Sequence, residues 1–436
     1  MAPKLQQFVS PGKGNGVQAT ASIRRGELVY SAKPLASCVS NKLSKEVCHH
    51  CFTRRETLLR CSQCKMARYC NITCQKRAWC DHKRECKCLR SLLPRIPTDS
   101  VRLAARLIFA LLSPSENSSE ELYTLEEHES HLSSMSEQKK QGLSHLASML
   151  QLYLTQEVPV QEMTSALPPS CQEPLNLIAK VTCNCFTISD GELQEIGVGL
   201  YPSLSLLNHD CRPNCVMVFE GTNLQLRAVR DINPEEELTI SYVETLSLTE
   251  DRQRQLEDQY HFTCHCQRCD SQDTDRLMLS GKEETQSLLK EALPKLEDLK
   301  AESNWQALLE NCRHLLSTVG GDVPEENLYK LRMTDHAVDA SIQLELWEEA
   351  VGYGKKTLPA YRQYYPDPHP VHGVQLMRVG KLQHYLEHIK DAFDTFRQAY
   401  EIIKVTHGDD HPLTADLLMK MKECHTEMDQ HSSSSH

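Results

Sequence analysis

Eight cysteine and histidine residues within a 39-residue stretch constrain this chain more than any other feature. They form the pairs Cys48-x2-Cys51, Cys61-x2-Cys64, Cys70-x3-Cys74 and His82-x3-Cys86. Eight ligands complete two tetrahedral zinc sites without an open position, and such closed sites are structural rather than catalytic. The two pairs with ligands four residues apart fit one face of a helix. The spacing predicts two zinc ions and leaves the grouping of ligands open.

Zinc also accounts for the high cysteine content. The chain has 436 residues and 20 cysteines, of which 11 lie in clusters or motifs suited to zinc. A disulfide framework needs an oxidising compartment, and the N-terminal residues have no apolar signal-peptide core. No stretch approaches the roughly 18 uninterrupted apolar residues of a membrane span. We therefore expect metal-bound cysteines and a protein of the cytoplasm and nucleus, without a membrane segment.

The remaining chain divides by its apolar pattern. Residues 1–47 and 181–243 alternate as short strands do, whereas residues 97–180 have helical periodicity. The helical pattern returns from residue 275 and repeats, since Trp347 follows Trp305 by 42 residues and His411-Pro412 follows His369-Pro370 by 42. A period near 40 indicates an array of helix pairs similar to tetratricopeptide (TPR) repeats, which offer a surface for a peptide or another domain.

Charge is distributed unevenly within a net charge of −11. Residues 48–95 contain 12 Lys/Arg against 3 Asp/Glu, whereas residues 275–436 contain 18 against 27. This asymmetry predicts different partners for the two regions or docking between them, the alternative being two solvated faces. The basic stretch is also compatible with contact to DNA phosphates.

Several motifs resemble those of SET-domain methyltransferases. Residues 208–215 (Asn-His-Asp-Cys-Arg-Pro-Asn-Cys) and 236–242 (Glu-Glu-Leu-Thr-Ile-Ser-Tyr) are similar to the two signature motifs. Residues 13–16 (Lys-Gly-Asn-Gly) resemble the start of that domain, and Cys264-x-Cys266-x2-Cys269 resembles its post-SET zinc motif. Residues 48–86 resemble a MYND finger. The order of these motifs is similar to that of the SMYD family, the SET and MYND domain-containing protein-lysine methyltransferases, over essentially the whole chain.

The resemblance implies an α+β fold: a split SET β-fold with inserted MYND finger and helical insert, followed by an all-α TPR-like domain. The implied domains are the SET start (1–47), MYND finger (48–86), helical insert (97–180), SET core (181–243), post-SET motif (244–274) and repeats (275–436). Three zinc ions are implied, held by the sets Cys48, Cys51, Cys70 and Cys74; Cys61, Cys64, His82 and Cys86; and Cys211, Cys264, Cys266 and Cys269.

The implied activity is transfer of methyl groups from S-adenosylmethionine to lysine ε-amines of histones or other proteins, with roles in chromatin or signalling. Tyr242 is the implied catalytic residue, and Phe186, Tyr260 and Phe262 are the implied walls of a lysine channel. The implied cofactor-binding residues are Lys13, Asn15, Tyr123, Glu129, His131, Asn184, Ser205, Asn208, His209, Tyr242 and Phe262. In MYND fingers generally, the implied partner is a proline-rich peptide.

Three residues depart from the family pattern. Asp210 replaces the usual serine and His131 an asparagine, which puts cofactor affinity in question. Glu235 replaces a glycine and costs on the order of 1 kcal/mol if its turn requires positive φ. An alternative function is a weakly active, zinc-dependent adaptor or transcriptional regulator that acts through its MYND and repeat surfaces. Nothing in the sequence requires more than a monomer.

Overall fold

Short strands from distant parts of the sequence build the sheets of the first half. The structure is a computed structural model and describes residues 4–113, 124–155, 157–159, 162, 165 and 167–433. The strands are β1 (Leu5–Ser10), β2 (Gly14–Ala19), β3 (Leu28–Ala32), β4 (Ala36–Val39), β5 (Leu59–Arg60), β6 (Arg68–Tyr69), β7 (Cys185–Ser189), β8 (Glu195–Leu200), β9 (Asn208–His209), β10 (Cys215–Glu220), β11 (Asn223–Ala228) and β12 (Thr239–Ile240). β3 pairs with β11, and β4 pairs with β8, both antiparallel. Strands before residue 40 therefore complete sheets whose other strands follow residue 185, which confirms the split fold.

Helices fill the insertion and the second half of the chain. They are α1 (Ile72–Leu92), α2 (Asp99–Leu112), α3 (Glu137–Leu154), α4 (Pro174–Asn184), α5 (Thr249–Tyr260), α6 (Gln267–Ser271), α7 (Asp273–Met278), α8 (Glu283–Ala301), α9 (Trp305–Val319), α10 (Leu328–Gln343), α11 (Trp347–Tyr364), α12 (Pro370–Tyr385), α13 (Ile389–Thr406) and α14 (Pro412–Ser433). Short 3-10 turns cover Asn41–Leu43, Pro169–Cys171, Pro202–Leu206 and Gly320–Asp322. Within the described residues, no helix has the length and apolar character needed to cross a bilayer. The mixture confirms the α+β class, while the domain boundaries inferred from the sequence stay predictions.

One local expectation for the zinc module is wrong. Cys70 and Cys74 do not share a helix face, because α1 begins only at Ile72. The side chain of Asn71 accepts a hydrogen bond from the backbone N–H of Cys74 and so caps the helix start. Asparagine favours this position over a helix interior, and Cys70 is therefore left in the preceding turn. His82 and Cys86 both lie inside α1 and are buried.

The backbone of the C-terminal helices repeats with the predicted period. Ser303, Glu345 and Glu387 all have positive φ, at 57°, 58° and 62°, and each is 42 residues from the next. Each lies in the turn between the two helices of a pair: α8–α9, α10–α11 and α12–α13. A residue in the left-handed region ends one helix and reverses the chain. The sequence repeat is thus a repeat of helix pairs, as expected for a TPR-like array.

The helical array docks on the SET sheets through its last turn. His411 lies between α13 and α14, and its Nε2 donates a hydrogen bond to the carbonyl oxygen of Phe219 on β10 at 3.1 Å. Gly408, with φ of 87°, lies so close to Arg227 on β11 that a Cβ atom there would be 2.3 Å from the guanidinium. Tyr365 OH also donates to Glu244 Oε1 at 2.9 Å. The acidic array and the SET core therefore form a continuous structure.

Candidate active site and zinc centres

A parallel pairing of two short strands brings the two SET-like motifs together. Asn208 on β9 pairs with Thr239 on β12, and His209 pairs with Ile240. The backbone N–H of Asp210 continues the contact by donating to Ile240 O at 3.0 Å. Tyr242 follows the end of β12 by two residues, so this pairing places the tyrosine beside His209.

The His209 imidazole joins Tyr242 to the third cysteine group. Its Nδ1 accepts a hydrogen bond from the backbone N–H of Tyr242 at 3.0 Å. Burial lowers the pKa of His209 to about 4, so the ring is neutral and carries a single proton. Because Nδ1 is the acceptor, that proton lies on Nε2, which is 3.2 Å from Cys211 Sγ. The resemblance implied only that His209 binds the cofactor, and this side-chain bridge was not predicted.

Aromatic rings surround the Tyr242 side chain. The ring centroid of Tyr260 is 4.8 Å away and that of Phe262 is 6.3 Å away. Burial, followed by the nearby Tyr260 and Glu237, raises the pKa of Tyr242, so its hydroxyl remains protonated at neutral pH. The hydroxyl donates to the carbonyl oxygen of Leu207. The pocket therefore presents a fixed, neutral hydroxyl within an aromatic enclosure.

Phe186 approaches this enclosure from another sheet. It lies on β7 and packs edge-on against Tyr201, with ring centroids 5.7 Å apart. Phe186 and Tyr242 are both half-buried and pack against the same core cluster. Tyr201 was not identified from the sequence, where it is a lone tyrosine. Its hydroxyl donates to Thr222 O at 2.6 Å, which fixes the ring behind Phe186.

The Asn208 side chain joins the start of β2 to the second SET-like motif through two hydrogen bonds. Asn208 Nδ2 donates to Asn15 O at 3.0 Å and to Glu237 Oε1 at 2.8 Å, and Lys13 Nζ lies 3.3 Å from Glu237 Oε2. Gly16 permits this approach, since a Cβ atom there would be 2.9 Å from Asn208 Nδ2. Glu237 was not predicted as a site residue, although it lies in the second SET-like motif. Glu237 contacts both Lys13 and Asn208, and the sequence alone does not indicate this arrangement.

The other implied cofactor residues form a second group. Asn184 Nδ2 donates to Glu129 O at 2.9 Å, and Ser205 Oγ lies 3.5 Å from Asn184 O. The ring of His131 packs against His261, with centroids 5.2 Å apart. His261 stands between the aromatic residues 260 and 262 in the chain. Tyr123 lies outside the described residues.

The three departures from the family pattern lie in defined local conformations. Asp210 Oδ1 accepts a hydrogen bond from the backbone N–H of Arg212 at 2.7 Å, a contact that a serine oxygen also makes. Glu235 has φ of 66°, which confirms the positive φ considered from the sequence. Its backbone N–H donates to Ala19 O at 2.8 Å, so this conformation is held by β2. His131 also has positive φ, at 54°.

Three groups of side chains fit tetrahedral zinc. Within each group the four ligand atoms lie within 4.8 Å of one another, and the groups are Cys48, Cys51, Cys70 and Cys74; Cys61, Cys64, His82 and Cys86; and Cys211, Cys264, Cys266 and Cys269. A zinc–sulfur bond of about 2.3 Å implies sulfurs about 3.8 Å apart in a tetrahedron. The observed separations are 3.6 Å for Cys51–Cys70, 3.8 Å for Cys61–Cys86 and 3.6 Å for Cys211–Cys269. Their donor chemistry and spacing therefore fit three structural zinc ions.

Similarity to known proteins agrees with this architecture. The family model of the SET domain matches residues 14–243. The chain is 46% identical to histone-lysine N-methyltransferase SMYD3 of Homo sapiens over 421 residues, which cover 97% of each chain. The chain belongs to the SMYD family. Further SMYD relatives are histone-lysine N-methyltransferase Smyd1 of Mus musculus, 32% identical over 98% of this chain and 90% of the relative, and N-lysine methyltransferase SMYD2 of Homo sapiens, 31% identical over 96% and 98%.

Proposed function

We propose that this SMYD chain is a protein-lysine N-methyltransferase that uses S-adenosylmethionine. The observation that carries the proposal is the protonated Tyr242 hydroxyl, held within an aromatic enclosure directly beside Asn208 and His209. The curated relatives are named histone-lysine N-methyltransferases and an N-lysine methyltransferase, which supports the same chemistry. The alternative of a weakly active adaptor is not favoured, because the curated relatives over nearly the whole chain are named as methyltransferases.

The polar groups around the enclosure fit the two ends of S-adenosylmethionine. We assign Lys13 and the Asn208 amide to the charged amino-acid end, because Gly16 allows β2 to approach Asn208 closely. Glu129, His131, Asn184 and Ser205 form the second group, which suits the adenosine end. The backbone of His209 lies between these groups and Tyr242. When bound, the cofactor supplies a methyl group on a positively charged sulfur.

The protein's own contribution to the reaction is to neutralise and orient the substrate amine. Lysine has a pKa near 10.4 in water, and only its neutral form has a free electron pair. Tyr242, Tyr260 and Phe262 exclude water, which favours the neutral amine, and the proton leaves to solvent at the channel mouth. The Tyr242 hydroxyl, fixed on Leu207 O, orients the reacting groups by hydrogen bonding and does not act as a nucleophile.

Proteins are the proposed substrates, either histones or other lysine-containing proteins, in the nucleus and cytoplasm. The relatives named as histone-lysine and N-lysine methyltransferases support a protein substrate. We propose that the chain acts as a monomer, since every element of the enclosure comes from one chain.

The exposed face of α1 supports peptide rather than DNA binding by the MYND finger. Ile72 is 61% exposed and Trp79 is 40% exposed on this face, and such apolar surface suits a proline-rich peptide. Several basic residues of the finger are already paired within the chain, including Arg54 with Asp190 and Arg84 with Glu162. This pairing reduces the free charge that phosphates require. Titration with a proline-rich peptide and with a DNA duplex distinguishes the two. Trp79→Ala tests the apolar face, because this variant should weaken binding of the peptide.

Labelled S-adenosylmethionine tests the catalytic proposal. The protein is incubated with it in the presence of histones or cell extract, and the products are analysed for methylated lysine by mass spectrometry. We expect methyllysine with the natural chain and little with Asn208→Ala, which loses the contacts to Asn15 and Glu237. Label found on no lysine, or equal labelling by the variant, would show that the proposal is wrong.

A further inference from the structure

Two buried arginines lie beside the third zinc group. Arg252 is 1% exposed and Arg268 is 3% exposed, values that are rare for charged side chains. Arg252 Nη2 lies 3.6 Å from Cys269 Sγ, within hydrogen-bonding distance of sulfur. Arg252 belongs to α5, whose last residue is Tyr260, and Arg268 belongs to α6 immediately before Cys269. The pair thus connects the zinc group to the segment that carries the aromatic wall.

The other hydrogen bonds of these guanidinium groups end on neutral oxygens. Arg252 donates to Ser247 O at 2.6 Å and to Thr249 Oγ1 at 3.0 Å. Arg268 donates to Thr245 O at 2.7 Å and to Thr274 Oγ1 at 3.3 Å. The nearby Asp275 accepts hydrogen bonds from Thr249 rather than from either arginine. Neutral oxygens stabilise the donors but do not balance two positive charges.

Two buried positive charges require a compensating negative charge. Cysteine binds zinc as the thiolate, so four thiolates and one Zn²⁺ carry a net charge of about −2. The two guanidinium groups supply +2. The charges of zinc, the four thiolates of Cys211, Cys264, Cys266 and Cys269, and both guanidinium groups therefore sum to about zero.

The second zinc group shows the same balance with different residues. Three thiolates and His82 give a net charge of about −1 around zinc. Glu85 adds −1, and it accepts hydrogen bonds from Arg102 Nε at 2.9 Å and Arg106 Nη1 at 2.7 Å. Glu85 is 1% exposed and its Oε2 lies 3.7 Å from His82 Nδ1. The charges of this zinc centre, Glu85, Arg102 and Arg106 therefore also sum to about zero.

The first zinc group differs because its ligands are more exposed to solvent. Cys51, Cys70 and Cys74 are only half-buried there. Water near these sulfurs screens the charge of the centre, so buried arginines are not required. Charge compensation by arginine therefore occurs at the two centres whose ligands are more deeply buried.

We propose that Arg252 and Arg268 are positioning residues that retain zinc in the third group by neutralising its four thiolates. The Arg252–Cys269 contact also fixes α5 against the zinc, and so holds Tyr260 and Phe262 beside Tyr242. This last consequence rests on the proposed methyltransferase function, whereas zinc retention does not.

Zinc release from the full-length protein tests the proposal. Zinc-loaded natural chain, Arg252→Met, Arg252→Lys and Arg268→Met are mixed with a chelator, release is followed with a chromogenic zinc dye, and freed cysteines are alkylated and mapped. Arg254→Met is the matched control, because Arg254 is on the same helix but its side chain is 63% exposed. Loss of a charged residue next to a metal ligand typically weakens metal binding about 10- to 100-fold.

We expect the methionine variants to release one zinc at least about tenfold faster, with alkylation at Cys211, Cys264, Cys266 and Cys269. Arg252→Lys keeps the charge and should restore most of the retention, whereas Arg254→Met should match the natural chain. If Arg252→Met does not fold, the Arg268→Met rate decides. Natural release rates in every methionine variant of Arg252 and Arg268 that folds would overturn the proposal, whether or not the protein methylates lysine.

Discussion

His209 Nδ1 accepts a hydrogen bond from the backbone N–H of Tyr242 at 3.0 Å, so the ring fixes the end of β12. The opposite nitrogen of the same ring is 3.2 Å from Cys211 Sγ, a ligand of the third zinc group. A neutral imidazole with one proton satisfies both contacts. The structural zinc and the candidate catalytic tyrosine are therefore separated by a single side chain.

Tyr242→Phe should lower the rate of lysine methylation about 100- to 1000-fold, because it removes one positioned hydroxyl from the reacting site. The ring remains, so packing against Tyr260 and Phe262 and the melting temperature should change little. Initial rates at saturating cofactor measure the effect. Tyr385→Phe is the matched control, since Tyr385 is 66% exposed on the C-terminal array. Equal rates for Tyr242→Phe and the natural chain would contradict the catalytic role.

Metal analysis of the purified chain should find three zinc ions per molecule, one for each ligand group. Cys264→Ser should retain two, because a three-ligand site no longer closes around zinc. It should also lower methylation, since His209 and Tyr242 lose their fixed neighbour at Cys211. Cys312→Ser provides the control: Cys312 is buried in the C-terminal core and belongs to no ligand group within the described residues. A natural chain with one zinc or none would contradict the grouping.

The spacing of residues predicted zinc-binding cysteines and a helical repeat, and the family resemblance implied the split α+β fold and the grouping of the ligands. The fold is confirmed and the three groups fit zinc, but neither kind of prediction included the contacts that join distant segments. Glu237 escaped prediction because it meets Lys13 across 224 residues. Arg252 was not predicted because an arginine on a helix is normally solvated. Here it is buried and contacts the sulfur of Cys269, 17 residues away. Cys70 was misplaced because the capping preference of Asn71 outweighed the four-residue spacing.

Gly408→Ala should weaken docking of the C-terminal array by about 1–3 kcal/mol, because it combines positive φ with a displaced Arg227 side chain. Arg227 would lose its hydrogen bond to Gly26 O, now 3.1 Å. Gly352→Ala is the contrasting control, since nothing lies within 4 Å of its Cβ position inside α11. Alanine there should raise stability by about 0.5–1 kcal/mol. Thermal unfolding and limited proteolysis should separate the two variants, and a Gly408→Ala chain as resistant as the natural one would refute the close contact.

Acidification should destabilise the same interface through His407. This residue is fully buried, and burial, with the neighbouring His411 and Arg227, lowers its pKa to about 3 despite a hydrogen bond to the Gly191 backbone. In the unfolded chain a histidine has a pKa near 6.5, so between pH 6.5 and 3 the unfolded state binds the proton and the folded state does not. The stability that His407 contributes is therefore present above pH 6.5 and is lost as the pH falls, by about 2 kcal/mol between pH 7 and pH 5.

His407→Gln removes the titrating group while keeping a side chain that can bond to Thr406 Oγ1, now 2.9 Å from His407 Nδ1. The variant should therefore lose less stability than the natural chain when the pH is lowered from 7 to 5, whatever its stability at pH 7. Urea unfolding at a series of pH values measures this slope. His425→Gln should leave the slope unchanged, because the His425 side chain is 67% exposed and gains little from folding. Parallel slopes for His407→Gln and the natural chain would mean that the ring takes up its proton without opening the interface between the array and the SET core.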